Sequence, residues 1–202
     1  MSTATTPGSV AARPRWIPSP LYRMTVEKYE SLIASGFFGK QDDVHLIIGY
    51  VVNRMAESPL HGAVLGLVRL AIQAILLAGW HIRTENGLRI PSQISVPRPD
   101  LVVVRGGPRD YLARYPEPSD TTLVVEVSYT SVDQDRAMAD IYAAGGIPVY
   151  WIVNVDDGQV EVYSDPGPDG YRTHEVLAAG HVLHVVVDGV EIGEIAVADI
   201  LP

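Results

Sequence analysis

Pro99-Asp100-Leu101-Val102-Val103-Val104 and, further on, Leu123-Val124-Val125-Glu126-Val127-Ser128 are the two stretches that decide how this chain folds. Each is short, β-branched and almost wholly apolar. Runs of this kind belong to strands covered on both faces, inside a sheet flanked by helices. Each also carries one carboxylate. Strand alternation puts Val124, Glu126 and Ser128 on one face and Leu123, Val125 and Val127 on the other, so the Glu126 face is expected to be hydrated. A carboxylate among valines is costly unless something compensates it. If the two strands are neighbours, Asp100 and Glu126 converge on one hard cation, because Mg²⁺ is held by one or two carboxylates together with waters and substrate phosphate. The alternative is purely structural: Asp100 closes a loop after Pro99, and Glu126 pairs with Arg98 or Arg105.

Outward from these strands the punctuation is regular. Upstream, Thr25 is placed to cap a helix through Glu30 to about Ala34, closed by Gly36. Val44–Val52 reads as two strands meeting at a tight turn near Gly49 and Tyr50. Ser58-Pro59 opens the central core helix, with Leu60, Val64, Leu67, Val68, Ala71 and Ile75 at three- and four-residue spacing until Gly79. Trp80–Arg83, Gly87–Ile90 and Ile94–Val96 read as short strands. Downstream, the polar loop Arg105–Asp120 precedes the second decisive strand. Asp133–Ala144 is helix-compatible and Gly145-Gly146 breaks it. Val149–Asn154 and Gln159–Tyr163 form a hairpin around Asp156-Asp157-Gly158, and β segments continue to Pro202. The expected fold class is α/β, or α+β: one domain over residues 21–202 with a mixed sheet flanked by helices, preceded by a loose tail over residues 1–20.

Composition narrows the function. The chain has 202 residues, 47% of them hydrophobic, enough for a sizeable core, and no cysteine. That excludes disulfides, cysteine-bound zinc and a thiol nucleophile, and it suits a cytoplasmic location. A net charge of −9 is the wrong sign for a broad cationic surface, so any contact with DNA must be local. The apolar stretches fall far short of the roughly 20 residues that span a bilayer, and the tail lacks the apolar segment of a secretory signal. No Walker loop, G-x-G-x-x-G or G-x-S-x-G occurs. Tyr150-Trp151, in an apolar strand without basic neighbours, is expected in the core rather than on a base-stacking platform. His181 and His184 are three apart in a β-like run and face opposite sides, a poor metal pair.

The segments TVEKYESLIASG (Thr25–Gly36), LIIGYVVNRM (Leu46–Met55), SPLHGAV (Ser58–Val64), PRPDLVVVRG (Pro97–Gly106), LVVEVS (Leu123–Ser128) and Asp135–Tyr163, with its GIPVYWIVN, occur in an order that resembles the Uma-two restriction-endonuclease family. That family lies within the PD-(D/E)XK nuclease-like superfamily. The resemblance implies a restriction-endonuclease-like core and a site built from an aspartate after proline, a glutamate on the next strand, and a lysine. Asp100 and Glu126 match the first two. It further implies metal-assisted phosphodiester hydrolysis of DNA, with Mg²⁺ or Mn²⁺ bound by Asp100, Glu126 and the Val127 carbonyl.

The lysine has no counterpart. The superfamily position two beyond the glutamate is Ser128, the helix position of the Uma-two group falls on Met138 or Ala139, and the only lysines are Lys28 and Lys40. Arg136 is the nearest cation. It can clamp a phosphate but cannot abstract a proton. His45 stands where relatives commonly carry an acidic residue, and it reads either as an acid/base group or ligand or as a strand histidine hydrogen-bonded to a neighbour. His61 falls in the first turn of the core helix, in reach of a phosphate or a carboxylate, or making only a local bond. The expectation is thus a metal-dependent endonuclease using Asp100 and Glu126 with Arg136, His45 and His61. Its alternative is an inactive nuclease-fold binding or regulatory module, expected as a homodimer.

Overall fold

Both valine-rich runs are interior strands, because their side chains are buried on two faces. In the computed structural model, which describes residues 21–39, 41–54 and 58–202, they are β4 (Leu101–Arg105) and β5 (Thr121–Ser128). The tail expected over residues 1–20 lies outside the described residues. In chain order the remaining elements are α1 (Val26–Ala34), β1 (Val44–Ile47), β2 (Tyr50–Asn53), α2 (Pro59–Ile75), β3 (Trp80–Thr84), α3 (Val132–Gly145), β6 (Val149–Asn154), β7 (Gln159–Gly167), β8 (Gly170–Ala178), β9 (Val182–Val187) and β10 (Val190–Ala196). A six-stranded sheet runs β3-β4-β5-β6-β7-β8. Every pairing in it is antiparallel except β5 with β6, which is parallel and bridged by α3, as a parallel pair requires. Two hairpins, β1/β2 and β9/β10, stand apart from that sheet.

The sheet separates two apolar layers. On one side α2 (Val64, Val68, Ile72) and the β9/β10 hairpin (Leu183, Val185, Ile195) cover Leu101, Val103, Val125, Val127 and Trp151. On the other, α3 (Ala139, Tyr142) and Ile147 cover Val102, Val124, Tyr150 and Ile152. Tyr150 and Trp151 are therefore core residues, as expected, one in each layer. A third cluster joins α1 to β1 through Val26, Tyr29, Val44, Leu46 and Val96.

Local signals explain the element ends. The Thr25 and Ser58 hydroxyls accept the first-turn N–H groups of Lys28 and His61. Gly146, with a φ of 85°, closes α3 in a left-handed conformation. Three expectations are corrected. Gly87–Ile90 and Ile94–Val96 are not strands: Pro91–Gln93 forms a 3-10 turn between them, leaving isolated bridges Ile90–Ser95 and Leu46–Val96. Helix α2 stops at Ile75, four residues before Gly79, as Leu76 turns extended. The Glu126 face is open to water only at Glu126 itself, which is half-buried and borders a cleft: α3 lies over the rest, and Ser128 is fully buried. Among the described residues no helix is long and apolar enough to cross a membrane.

Candidate active site

The antiparallel register pairs Leu101 with Val125, so one step further, where β4 begins, Asp100 comes opposite Glu126. The two are linked directly: the Asp100 backbone N–H donates to Glu126 Oε2 at 2.9 Å, and the Val127 N–H donates to Asp100 Oδ2 at 2.8 Å. In an extended strand a residue's N–H and C=O point to the same side, so the Val127 carbonyl faces this end of β4 as well. Neither Arg98 nor Arg105 pairs with Glu126. Arg98 instead reaches Asp43 and the Glu85 carbonyl, and Arg105 reaches Asp188.

Around the pair lies a cleft of ≈ 260 Å³ at the carboxyl end of β5. Its walls include His45 from β1, Arg54 after β2, Ser58 and His61 from the start of α2, Arg98, and Ser131, Gln134 and Asp135 from the start of α3. No lysine lines it among the described residues. Asp100 is 5% exposed and densely held: His61 Nε2 sits 2.9 Å from Oδ2 and Arg54 Nη2 3.4 Å from Oδ1. Glu126 Oε1 accepts the hydroxyl of the buried Tyr142 at 3.0 Å. Arg54 also approaches Asp43 at 3.6 Å.

The electrostatics follow from this crowding. Burial first, then the charges of Asp100 and Asp135, push the Glu126 carboxyl well above its ordinary range, against the hydrogen bonds from Asp100 and Tyr142. Burial also raises Asp135, although the Ser128 and Ser131 hydroxyls oppose the rise. His45 is lowered to about 4 by burial and by the nearby Arg54 and Arg98, so its imidazole is neutral at neutral pH. Its Nδ1 has no hydrogen-bond partner among the described residues.

Of the residues singled out in the sequence, Asp100, Glu126, Val127, His45 and His61 come together in the cleft. Arg136 does not. It projects from α3 toward β7, where it donates to both oxygens of Glu161, a fully buried carboxylate that fixes the guanidinium away from the cleft. Arg54 and Asp135 are cleft residues that sequence reasoning passed over, as it did Tyr142, which lies outside the cleft lining and holds Glu126. Arg54 directly follows the short β2 strand, which gives the sequence no signal that the chain there returns to Asp100. Elsewhere, among the described residues, one trio has ligand atoms within 4.8 Å of one another: His184, Glu191 and Glu194, all exposed on the β9/β10 hairpin.

A mixed sheet with a single parallel pair, a helix crossing between its two strands and two carboxylates at adjacent strand ends is a restriction-endonuclease-like arrangement. The same fold occurs in a protein from Anabaena variabilis ATCC 29413, whose crystal structure at 1.96 Å resolution is described as "a putative nuclease belonging to DUF820". The two share 14% identity and superpose with a TM-score of 0.67 over 88% of this chain and 97% of that one. No curated protein matches the sequence. The chain belongs to the Uma2 family, described as "Putative restriction endonuclease", whose profile matches residues 26–198.

Proposed function

We propose that the cleft hydrolyses phosphodiester bonds of DNA with the help of a divalent cation, Mg²⁺ or Mn²⁺, held by Asp100, Glu126 and the Val127 carbonyl. The observation that carries this reading is the direct coupling of Asp100 to Glu126 at the mouth of a cleft. The donor set fits such an ion: it consists of oxygens, which suit hard cations, and its negative charges, after burial, help to drive the Glu126 carboxyl upward. When bound, the cation supplies Lewis-acid polarisation of the phosphate and a more acidic water. The chain's own groups do the rest. His61 and the Val127 N–H fix the Asp100 carboxylate, and Tyr142 fixes that of Glu126. Arg54 and Arg98 put cationic groups at the walls, and the first turns of α2 and α3 aim their N-termini there, which favours an anionic phosphate. The family's description and the fold shared with the Anabaena variabilis protein point the same way.

A second reading, a nuclease fold that binds without cutting, is favoured by the lack of a cleft lysine among the described residues and by the seats of His61 and Arg54 on Asp100. Incubation with supercoiled plasmid and with single-stranded DNA in Mg²⁺ or Mn²⁺, alongside Asp100→Asn and Glu126→Gln, separates the two. Cleavage that falls at least about 100-fold in both variants is the expected result. Mn²⁺ binding by calorimetry without any cleavage favours the second reading, and cleavage undiminished in both variants defeats the first.

A further inference from the structure

Asp135 is a half-buried carboxylate that the reading above leaves without a task. It lies in the first turn of α3 and lines the same cleft as Asp100 and Glu126. Its Oδ2 accepts the Ser131 hydroxyl at 2.9 Å, and Ser131 Oγ is in turn 3.3 Å from Ser128 Oγ. No lysine or arginine approaches it within salt-bridge distance among the described residues. Other buried carboxylates are provided for: Asp100 has Arg54 and His61, and Glu161 has Arg136. A half-buried carboxylate that borders a cleft with no cation on it is held in place by hydroxyls and by the helix N-terminus, and it is left available for chemistry.

Hydrolysis in the cleft needs a group that takes a proton, and the histidines are poorly placed for it: the unbonded Nδ1 of His45 is enclosed, and His61 is engaged on Asp100. Arg54 and Arg98 stay protonated and cannot accept one. Asp100 and Glu126 are committed as donors to the cation. We propose that Asp135, aimed by Ser131, is the general base of the hydrolysis proposed above, standing in for the absent lysine. The inference rests on that hydrolytic reading. In the step, one O–H bond of a cleft water breaks and its proton passes to Asp135. The water oxygen bonds to phosphorus while the opposite P–O ester bond breaks. Its electron pair leaves on the ester oxygen, which takes a proton from solvent, and Asp135 then returns its own proton to solvent. The groups facing Asp135 are Asp100 from the start of β4, Glu126 from β5, His61 from α2, Tyr142 from α3 itself and Tyr150 from β6. Burial lifts the Asp135 carboxyl, which makes it a better proton acceptor than a surface aspartate.

The test uses the full chain with Asp135→Asn, Asp135→Ala and Asp100→Asn, read by Mn²⁺ calorimetry and by plasmid cleavage. Asp135→Asn is expected to bind Mn²⁺ within about threefold of the parent while kcat falls about 100-fold or more and KM stays close to the parent value. Formate or imidazole is expected to restore part of the cleavage to Asp135→Ala, which a merely structural aspartate would not allow. If Asp135→Asn unfolds, Ser131→Ala asks the same question, with an expected loss of about tenfold in kcat at unchanged Mn²⁺ affinity. Three results overturn the proposal: cleavage by Asp135→Asn at the parent rate, loss of Mn²⁺ binding in Asp135→Asn as in Asp100→Asn, or rescue by small bases of His45→Ala and not of Asp135→Ala. Failure of the underlying reading has its own signature, Asp100→Asn binding Mn²⁺ as the parent does, and it removes the proposal as well.

Discussion

Arg136 and Glu161 show how one ion pair can decide where a charge is available. Glu161 points from β7 into the layer beneath α3, where burial alone would disfavour its charge. The hydrogen bonds from Arg136 and Tyr163 outweigh that penalty and hold its carboxyl below the ordinary value. Removing the cation strands the carboxylate: Arg136→Met is expected to cost about 3 kcal/mol, the low end for breaking a buried pair, because the Arg136 side chain is 42% exposed. The sign of the pH dependence follows from the lowered folded value. As pH falls, the unfolded chain takes up this proton first, near its usual value of about 4.3. The stabilisation by Glu161 is therefore complete above that pH and disappears as pH drops through the folded value. The difference in urea midpoint between parent and Glu161→Gln is expected to be largest at pH 7 and to shrink below about pH 4.3. A difference that stays constant down to pH 3 would show that the charge contributes nothing.

At the scale of elements, the β1/β2 hairpin carries a local conflict. Its turn places both Ile48 (φ 48°) and Gly49 (φ 80°) in the left-handed region, the pattern of a two-residue turn that favours Asn-Gly. Glycine suits its position, where a Cβ would come 3.0 Å from Arg23 Cβ and 3.2 Å from the Met24 carbonyl oxygen. Isoleucine does not suit its own, since a β-branched side chain there is strained by roughly 1–2 kcal/mol. Because Ile48 is 42% exposed, little burial is lost on replacement. Ile48→Asn is expected to raise the unfolding free energy by about 1 kcal/mol and Gly49→Ala to lower it by a similar amount or more, both read from chemical denaturation. Most elements were legible because their signals are local: the Thr25 and Ser58 caps, the stripe of α2 and the apolar runs of β4 and β5 each depend on near neighbours. The exceptions fail for physical reasons. Gly87–Ile90 has strand-like residues, but after Pro91 the backbone turns before a strand can extend. The site was half legible in the same way: an out-of-place carboxylate marks Asp100 and Glu126. Arg54 and Tyr142 reach them across 46 and 16 residues of chain, through contacts that no local pattern records.

For the whole molecule, charge constrains how nucleic acid can be held. A net charge of −9 repels a polyanion at long range, while the cleft concentrates Arg54 and Arg98 beside the carboxylates. Both arginines already face acidic partners, Arg54 at Asp100 and Asp43 and Arg98 at Asp43. A phosphate must compete for them, and under the proposed function a divalent cation held by Asp100 and Glu126 would tip that competition by engaging the carboxylates. Affinity for DNA should then depend on few phosphate contacts and require the cation. Each phosphate neutralised on a duplex contributes about −0.9 to the slope of log affinity against log salt. Two contacting arginines thus predict a slope of about −2, far from the steep dependence of proteins gripping DNA by a basic face. Fluorescence anisotropy with a labelled duplex across a potassium series measures it. Ca²⁺ replaces Mg²⁺ there, because it takes the same oxygen ligands with looser geometry and limits turnover. A slope near −6, or binding unchanged by EDTA, would mean that cations outside the cleft, such as the exposed Arg105 and Arg172, carry the contact, and the cleft would lose its claim to position the substrate.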